Sequence, residues 1–205
     1  MNENKKKLEK LNILSLGEAT VGKTCFILRY TENTYIDHSF LTNGIDYRSK
    51  KVDIPNKKSY NVKFFDTCGQ EKFHAISLNQ IKNAHGIILM YDVTQKNTFD
   101  AISKWIEDIK EENKQNVPLI LVGNKCDLEE EKVVTTDEGQ KLAEKFGINF
   151  FEVSNKIGTN VEEAALCLIN KIIEEKEKKN NQENGDNIKL DPNIHKEKKE
   201  RKCNC

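Results

Sequence analysis

Gly17-Glu-Ala-Thr-Val-Gly22-Lys23-Thr24 lies between the apolar run Leu11–Leu16 and the helical pattern Lys23–Tyr30. The spacing is G-x-x-x-x-G-K-[ST], placed where a strand hands over to a helix. Backbone N–H groups of such a loop turn inward around a polyphosphate, and the helix N-terminus adds the positive end of its dipole. Lys23 would then reach the outer phosphates, and the Thr24 hydroxyl a Mg²⁺ ion. The candidate cradle is the run Glu18, Ala19, Thr20, Val21, Gly22, Lys23, Thr24 and Cys25. With average residue usage, the pattern arises by chance in roughly 1% of chains this long. A plain glycine turn before a helix is the alternative, so the rest of the chain has to decide.

Working outward, short apolar runs alternate with amphipathic stretches. Strands are expected at Leu11–Leu16, Tyr47–Ile54, Tyr60–Phe65, Gly86–Val93, Leu119–Val122 and Asn149–Val153. Helices are expected at Lys23–Tyr30, Glu71–Lys82, Thr98–Glu111, Thr136–Phe146 and Asn160–Lys176. This alternation predicts an α/β fold: a doubly wound, six-stranded, mostly parallel sheet with helices on both faces. The phosphate loop after the first strand makes the expected type that of a P-loop NTPase. The five residues Pro55-Asn-Lys-Lys-Ser59 between the second and third strands suit a hairpin, so one edge strand is expected to be antiparallel. Ile102, Trp105, Ile106 and Ile109 recur at helical spacing, which assigns Trp105 to the core.

The chain has 205 residues, and 33 Lys+Arg balance 33 Asp+Glu. That balance argues against a nucleic-acid binder, which needs a basic surplus to neutralise phosphates. No apolar stretch is long enough to span a bilayer. The start, Met1-Asn-Glu-Asn-Lys-Lys-Lys7, lacks the apolar region of a secretory signal. Hydrophobic residues make up only 37%, which is low for a compact globule and points to a core averaged with a polar tail. The division is drawn at residues 8–173 for the domain and 174–205 for the tail. From Glu174 to Lys202, nine Lys/Arg face eight Asp/Glu, with few aliphatics such as Ile188 and Leu190. Such a segment buries too little apolar surface to offset its ordering entropy and is expected to be disordered. Cys25, Cys68, Cys126 and Cys167 stand singly, as in a reduced, cytosolic chain.

Gly123-Asn124-Lys125-Cys126-Asp127 follows the apolar strand Leu119–Val122, at the sheet edge where doubly wound folds bind ligands. The Asp127 carboxylate can accept from the ring N–H and exocyclic amine of guanine, whereas adenine offers neither donor on that edge. Sites built on such hydrogen bonds discriminate by about 10⁴ or more. Alone the motif could be a helix-capping turn; with the phosphate loop it points to a guanine nucleotide. An ATPase reading of the loop is undercut by Asn124-Lys125-Cys126-Asp127. Asp66-Thr-Cys-Gly69-Gln70-Glu71 follows the third strand. Asp66 stands where a carboxylate can hold Mg²⁺ through a water. Gly69 can lend its N–H to the terminal phosphate, with Gln70 beside it.

These motifs, in this order, resemble the Rab family of Ras-like small GTPases over about Leu11 to Ile173 and at the C-terminal cysteines. Thr42-Asn-Gly-Ile-Asp-Tyr47 resembles T-I-G-I-D-F, Phe64-Phe-Asp-Thr-Cys-Gly-Gln-Glu71 resembles I-W-D-T-A-G-Q-E, and Lys72-Phe-His-Ala-Ile76 resembles R-F-R-T-I. Leu89-Met-Tyr-Asp-Val-Thr94 is similar to L-V-Y-D-I-T, and Glu152-Val-Ser-Asn-Lys156 to E-T-S-A-K. The resemblance implies a GTP/GDP switch that hydrolyses GTP and regulates vesicle traffic by recruiting effectors in its GTP state. It implies that Thr42 completes the Mg²⁺ shell and Tyr35 stacks on guanine. It further implies that the backbone of Ser154, Asn155 and Lys156 contacts the base oxygen, and that Gln70 orients the attacking water. Loops held by the γ-phosphate and Mg²⁺ would relax when that phosphate leaves. No arginine stands as a finger, so intrinsic turnover is expected to be slow and to need an activating protein. An exchange factor, effectors, a prenylation escort and a GDP-dissociation inhibitor are the other implied partners of a monomer.

The departures from the pattern carry expectations of their own. Thr20 stands where most Rab sequences have glycine, and a β-branched residue at φ > 0 costs about 1–2 kcal/mol; faster nucleotide release follows. Cys68 replaces alanine beside Gly69 and reads as a small buried hydrophobe. Tyr47, Phe65 and Gln80 form an altered effector triad, and Asn43 replaces an apolar residue nearby. His74 reads as a solvated side chain, and Cys25 and Cys126 as packing residues beside the nucleotide. Retention of Gln70 favours a hydrolysing switch; a hydrolysis-poor, nucleotide-bound scaffold is the alternative that Thr20 and Cys68 leave open. Cys203-Asn-Cys205 resembles the Rab C-x-C ending, on which both cysteines take geranylgeranyl groups. Two chains anchor stably where one does not, and the five basic residues of His195–Lys202 suit an anionic cytoplasmic leaflet. The expected location is the cytosol and the cytoplasmic face of a membrane, endomembrane or plasma membrane.

Overall fold

The computed structural model describes residues 8–37, 45–55, 57–67, 80–112 and 117–186. Six strands form one sheet: β1 (Glu9–Leu16), β2 (Ile45–Asp53), β3 (Ser59–Thr67), β4 (Gly86–Asp92), β5 (Leu119–Asn124) and β6 (Asn149–Val153). Their order is β2-β3-β1-β4-β5-β6. All neighbours are parallel except β2 and β3, which pair antiparallel with Tyr47 opposite Phe65. The expected hairpin edge is therefore present.

The helices are α1 (Lys23–Glu32), α2 (Lys96–Asp100), α3 (Ile102–Glu112), α4 (Thr136–Phe146) and α5 (Val161–Asp186). On one face of the sheet, Leu14, Leu16, Ile87, Leu89, Tyr91 and Leu121 pack with Ile102, Trp105, Ile106 and Ile109 of α3 and Ala143 of α4. Alternate residues of the same strands, such as Ile13, Ile88, Met90, Ile120 and Val122, are equally buried but lie outside that cluster, as period-two strands covered on both faces require. Tyr30 of α1 meets Phe64 of β3 edge-on at 5.2 Å. Gly86 needs its missing side chain because Leu168 and Ile172 of α5 press on it; a Cβ there would lie 2.5 Å from Ile172 Cδ1.

Two expectations change. The single helix Thr98–Glu111 is instead α2 and α3, joined at Ala101. It begins earlier because the Thr98 hydroxyl donates to the Gln95 carbonyl at 2.7 Å and accepts the Asp92 N–H at 3.0 Å, tying the first turn to the end of β4. The second change is larger. The chain divides at Ile172, and the unit from Ile173 is helical as far as Asp186, so residues 174–186 are not the disordered stretch expected. Glu and Lys are good helix formers, a helix already nucleated extends at little cost, and pairs such as Lys178–Glu175 at 2.9 Å add local support. Residues 187–205 lie outside the described residues.

The topology decides where chemistry can occur. β1 is central: after it the chain builds β2 and β3 on one side, and later β4, β5 and β6 on the other. The crevice at the carboxyl ends of these strands is the topological switch point.

Candidate functional site

The nucleotide motifs read from the sequence and described by the structure leave the sheet at that edge. Gly17 ends β1 with φ 135°, and a Cβ there would sit 2.2 Å from the Met90 carbonyl, so the loop can turn only as glycine. Thr20 has φ 62°, the left-handed conformation expected for that position. Gly22 precedes α1 in the left-handed region, and no side chain caps the helix. The positive end of the α1 dipole therefore falls at the end of this loop. Lys23 is buried, and its ammonium lies across the loop, donating to the Gly17 and Glu18 carbonyls at 2.9 and 2.7 Å. Val21 is fully buried beneath the loop, whereas Ala19 is half-buried.

One turn into α1, the Thr24 hydroxyl donates to Asp66 Oδ2 at 2.6 Å. A hydroxyl and a carboxylate in contact form a hard-oxygen donor set that fits Mg²⁺. Among the described residues no cluster of three or more metal-ligating side chains occurs. Mg²⁺ characteristically takes one or two protein oxygens and completes its shell with phosphates and waters.

At the other end of the same crevice lies a cleft of about 430 Å³, bounded by Thr20, Gly22 and Cys25 on the loop side and by Asn124, Asp127, Asn155 and Lys156 on the other. The Ser154 hydroxyl donates to Asp127 Oδ1 at 2.5 Å and accepts the Ile157 N–H at 3.2 Å, which fixes the carboxylate. Asn124 donates through Nδ2 to the Val21 carbonyl at 2.8 Å. Lys125, at φ 68°, pairs with fully buried Asp92 at 2.5 Å. Tyr35 lies along the cleft, its phenol pKa raised by burial and then by Asp37. The Cys25 thiol is buried and donates to the Ile36 carbonyl at 3.6 Å. Burial, followed by Glu152 and Asp127, pushes the Cys126 thiol up, the opposite of what an activated thiolate requires.

A family model described as Ras family matches residues 12–174. The GTP-binding protein ypt2 of Schizosaccharomyces pombe is 36% identical over 166 residues, 81% of this chain and 82% of that one. The Ras-related protein Rab-10 of Diplobatis ommata is 38% identical, over 79% and 80% of the two chains. The Ras-related protein Rab-13 of Bos taurus is 41% identical, over 78% and 79%. The chain belongs to the Rab family of Ras-like small GTPases.

All three residues of the expected effector triad are described. Tyr47 is 55% exposed, its ring 6.1 Å from that of half-buried Phe65, with the Lys63 ammonium 4.4 Å from the Tyr47 ring centre. Gln80 is half-buried in a helical turn that leads to buried Ile81. Thr42, Asn43, Cys68, Gly69, Gln70, His74, Cys203 and Cys205 lie outside the described residues.

Three participants escaped sequence reading. Trp105 is buried in the core as expected, but its indole N–H also donates to Glu18 Oε1 at 3.0 Å, so it reaches the phosphate loop. Arg29 of α1 donates to the carbonyls of Asn155 and Lys156 at 2.7 Å each, holding the base loop rather than serving as a finger. Asp92 carried a readable signal: a carboxylate closing an apolar strand is buried and must find a cation. Trp105 and Arg29 had no such signal, because their partners are 87 and 126 residues away.

Proposed function

We infer that this Rab-family chain is a guanine-nucleotide switch: it binds GTP and GDP, hydrolyses GTP slowly, and regulates vesicle-mediated membrane traffic. The observation that carries the nucleotide site is Asp127. Its carboxylate is clamped by Ser154 at the rim of a cleft that ends, on the far side, at the phosphate loop. A clamped carboxylate rewards the paired N–H donors of guanine and is left unpaired by adenine. Asn124, Lys125 and the backbone of Ser154, Asn155 and Lys156 frame the base, and Tyr35 covers it.

The backbone from Glu18 to Cys25 binds the phosphates, with Gly69 and Thr42 closing over the terminal one. Lys23 gives up its loop carbonyls and turns its ammonium to the outer phosphate oxygens, where charge grows during in-line displacement. Thr24, Thr42 and, through a water, Asp66 would hold Mg²⁺, which when bound would supply positive charge to the phosphates. Gln70 orients the attacking water. Both described arginines are engaged elsewhere, Arg29 with the base loop and Arg48 with Glu32, which accords with an activating protein supplying further positive charge. Tyr47, Phe65 and Gln80 form the effector surface. The same reading gives the chain an exchange factor, an escort and a GDP-dissociation inhibitor as partners. It also gives a lipid anchor at Cys203 and Cys205. No helix among the described residues is long and apolar enough to cross a membrane.

Competition against a fluorescent guanine nucleotide tests the base site. Asp127→Asn replaces the acceptor by an amide that donates to the 2-oxo group of xanthine. Preference should shift from GDP towards xanthosine diphosphate by about 10⁴-fold, the discrimination of a site built on such hydrogen bonds. An unchanged preference would remove Asp127 from the base site.

A further inference from the structure

Building on the guanine-nucleotide site, the contacts of one residue at the cleft go beyond it. Two consecutive carbonyls of the phosphate loop are each held by a side-chain amide from a different base loop. Asn124 takes the Val21 carbonyl at 2.8 Å, and Asn155 takes the Gly22 carbonyl through its own Nδ2 at 3.0 Å. The family pattern E-T-S-A-K has alanine where this chain has Asn155, and a methyl group cannot donate. Gly22 is a consequential place to hold. Its carbonyl also accepts the Phe26 N–H at 2.9 Å, the bond that starts α1, and it lies two residues beyond left-handed Thr20. A Cβ at Gly22 would sit 2.3 Å from the Asn124 amide nitrogen and 2.9 Å from that of Asn155, so both amides close on this one residue.

The Asn155 amide is fixed in its orientation. Exchanging its oxygen and nitrogen would set Oδ1 against the Gly22 carbonyl, two acceptors face to face. The residue is 2% exposed, and Oδ1 has no partner among the described residues. Its N–H donates to Asn124 Oδ1 at 3.3 Å, and its carbonyl receives Arg29. A buried, half-satisfied amide is disfavoured where alanine would serve, so the bond to Gly22 is the feature that distinguishes it.

We propose that Asn155 is a positioning residue that staples the base loop to the phosphate loop and slows nucleotide release. When the base loop withdraws from guanine, Asn155 pulls on Gly22, so base and phosphates must be let go together. The staple also opposes the loosening that strained Thr20 introduces into the same loop.

The test uses the full chain loaded with fluorescent GDP and chased with excess unlabelled GDP. Asn155→Ala removes the donor and the volume; Asn155→Leu removes the donor but keeps the volume. The staple predicts release about 5-fold faster in both, the ratio that an ordinary net hydrogen bond of about 1 kcal/mol implies. If Asn155 only fills space, Asn155→Leu releases at the wild-type rate while Asn155→Ala is faster, and the proposal falls. It falls equally if Asn155→Ala releases at the wild-type rate, a readout that stands even should the leucine variant not fold. Wild-type protein that loads GDP no better than ADP would instead overturn the nucleotide reading on which the staple rests.

Discussion

Thr20 offers the sharpest perturbation, because its backbone angle and exposure isolate one effect. At φ 62° a β-branched side chain crowds the following carbonyl, which costs about 1–2 kcal/mol relative to glycine. Thr20 is exposed, so Thr20→Gly removes little apolar contact. If the strain is relieved as the loop opens to release phosphate, the wild type releases nucleotide roughly 5- to 30-fold faster than Thr20→Gly, since each 1.4 kcal/mol is tenfold. Thr20→Asn should fall between, because asparagine tolerates the left-handed region better than a β-branched residue. Global stability is a poor readout: glycine restores about 0.5–1 kcal/mol of unfolded-chain entropy, which offsets much of the relief. The assay is therefore the release rate of fluorescent GDP at fixed Mg²⁺ concentration, not a melting temperature. Rates within twofold across the three proteins would refute the reasoning, showing that the strain persists in the open loop.

The remaining predictions are smaller in reach. Trp105 is the single tryptophan and its N–H partner is in the phosphate loop, so its emission should shift when nucleotide is stripped with a chelator. Glu18→Ala should abolish most of that shift, and identical wild-type spectra before and after stripping would deny the link. The Glu138 carboxyl is held at about 2, first by the Thr135 N–H and then by Lys96 and the Thr135 hydroxyl. Because that value is depressed, the stabilisation of the α4 cap is present above about pH 4.5 and lost as pH falls towards 2. A carboxyl NMR titration midpoint near 4.5 would contradict this. Gln70→Leu should lower single-turnover hydrolysis markedly; equal, negligible rates in both proteins would favour the nucleotide-bound scaffold.

How far the site was readable depended on the range of the contacts. The phosphate loop, the Asn124–Asp127 segment and the Asp66 strand end are each contiguous, with the fold bringing their ends to one edge, so short motifs announced them. The tail reading failed between residues 174 and 186 because composition registers burial but not local helix propensity, and Glu and Lys supply the latter without the former. Trp105 was read for its helical spacing alone. Periodicity shows which face of α3 is buried but not which polar atom the indole N–H will meet there.

The alternation of apolar runs, the glycines at 17 and 22 and the Lys23-Thr24 pair were sufficient to determine an α/β sheet with a phosphate loop after its first strand. They are local requirements: a period of two or 3.6, a left-handed turn, a helix start. Tertiary structure alone decided what holds that loop. The Trp105 indole reaches Glu18, and the Asn124 and Asn155 amides take neighbouring carbonyls from loops more than a hundred residues away. Those partners depend on strand order, which places the ends of β1, β5 and β6 at one edge, and no spacing along the chain encodes the hydrogen bonds that form there.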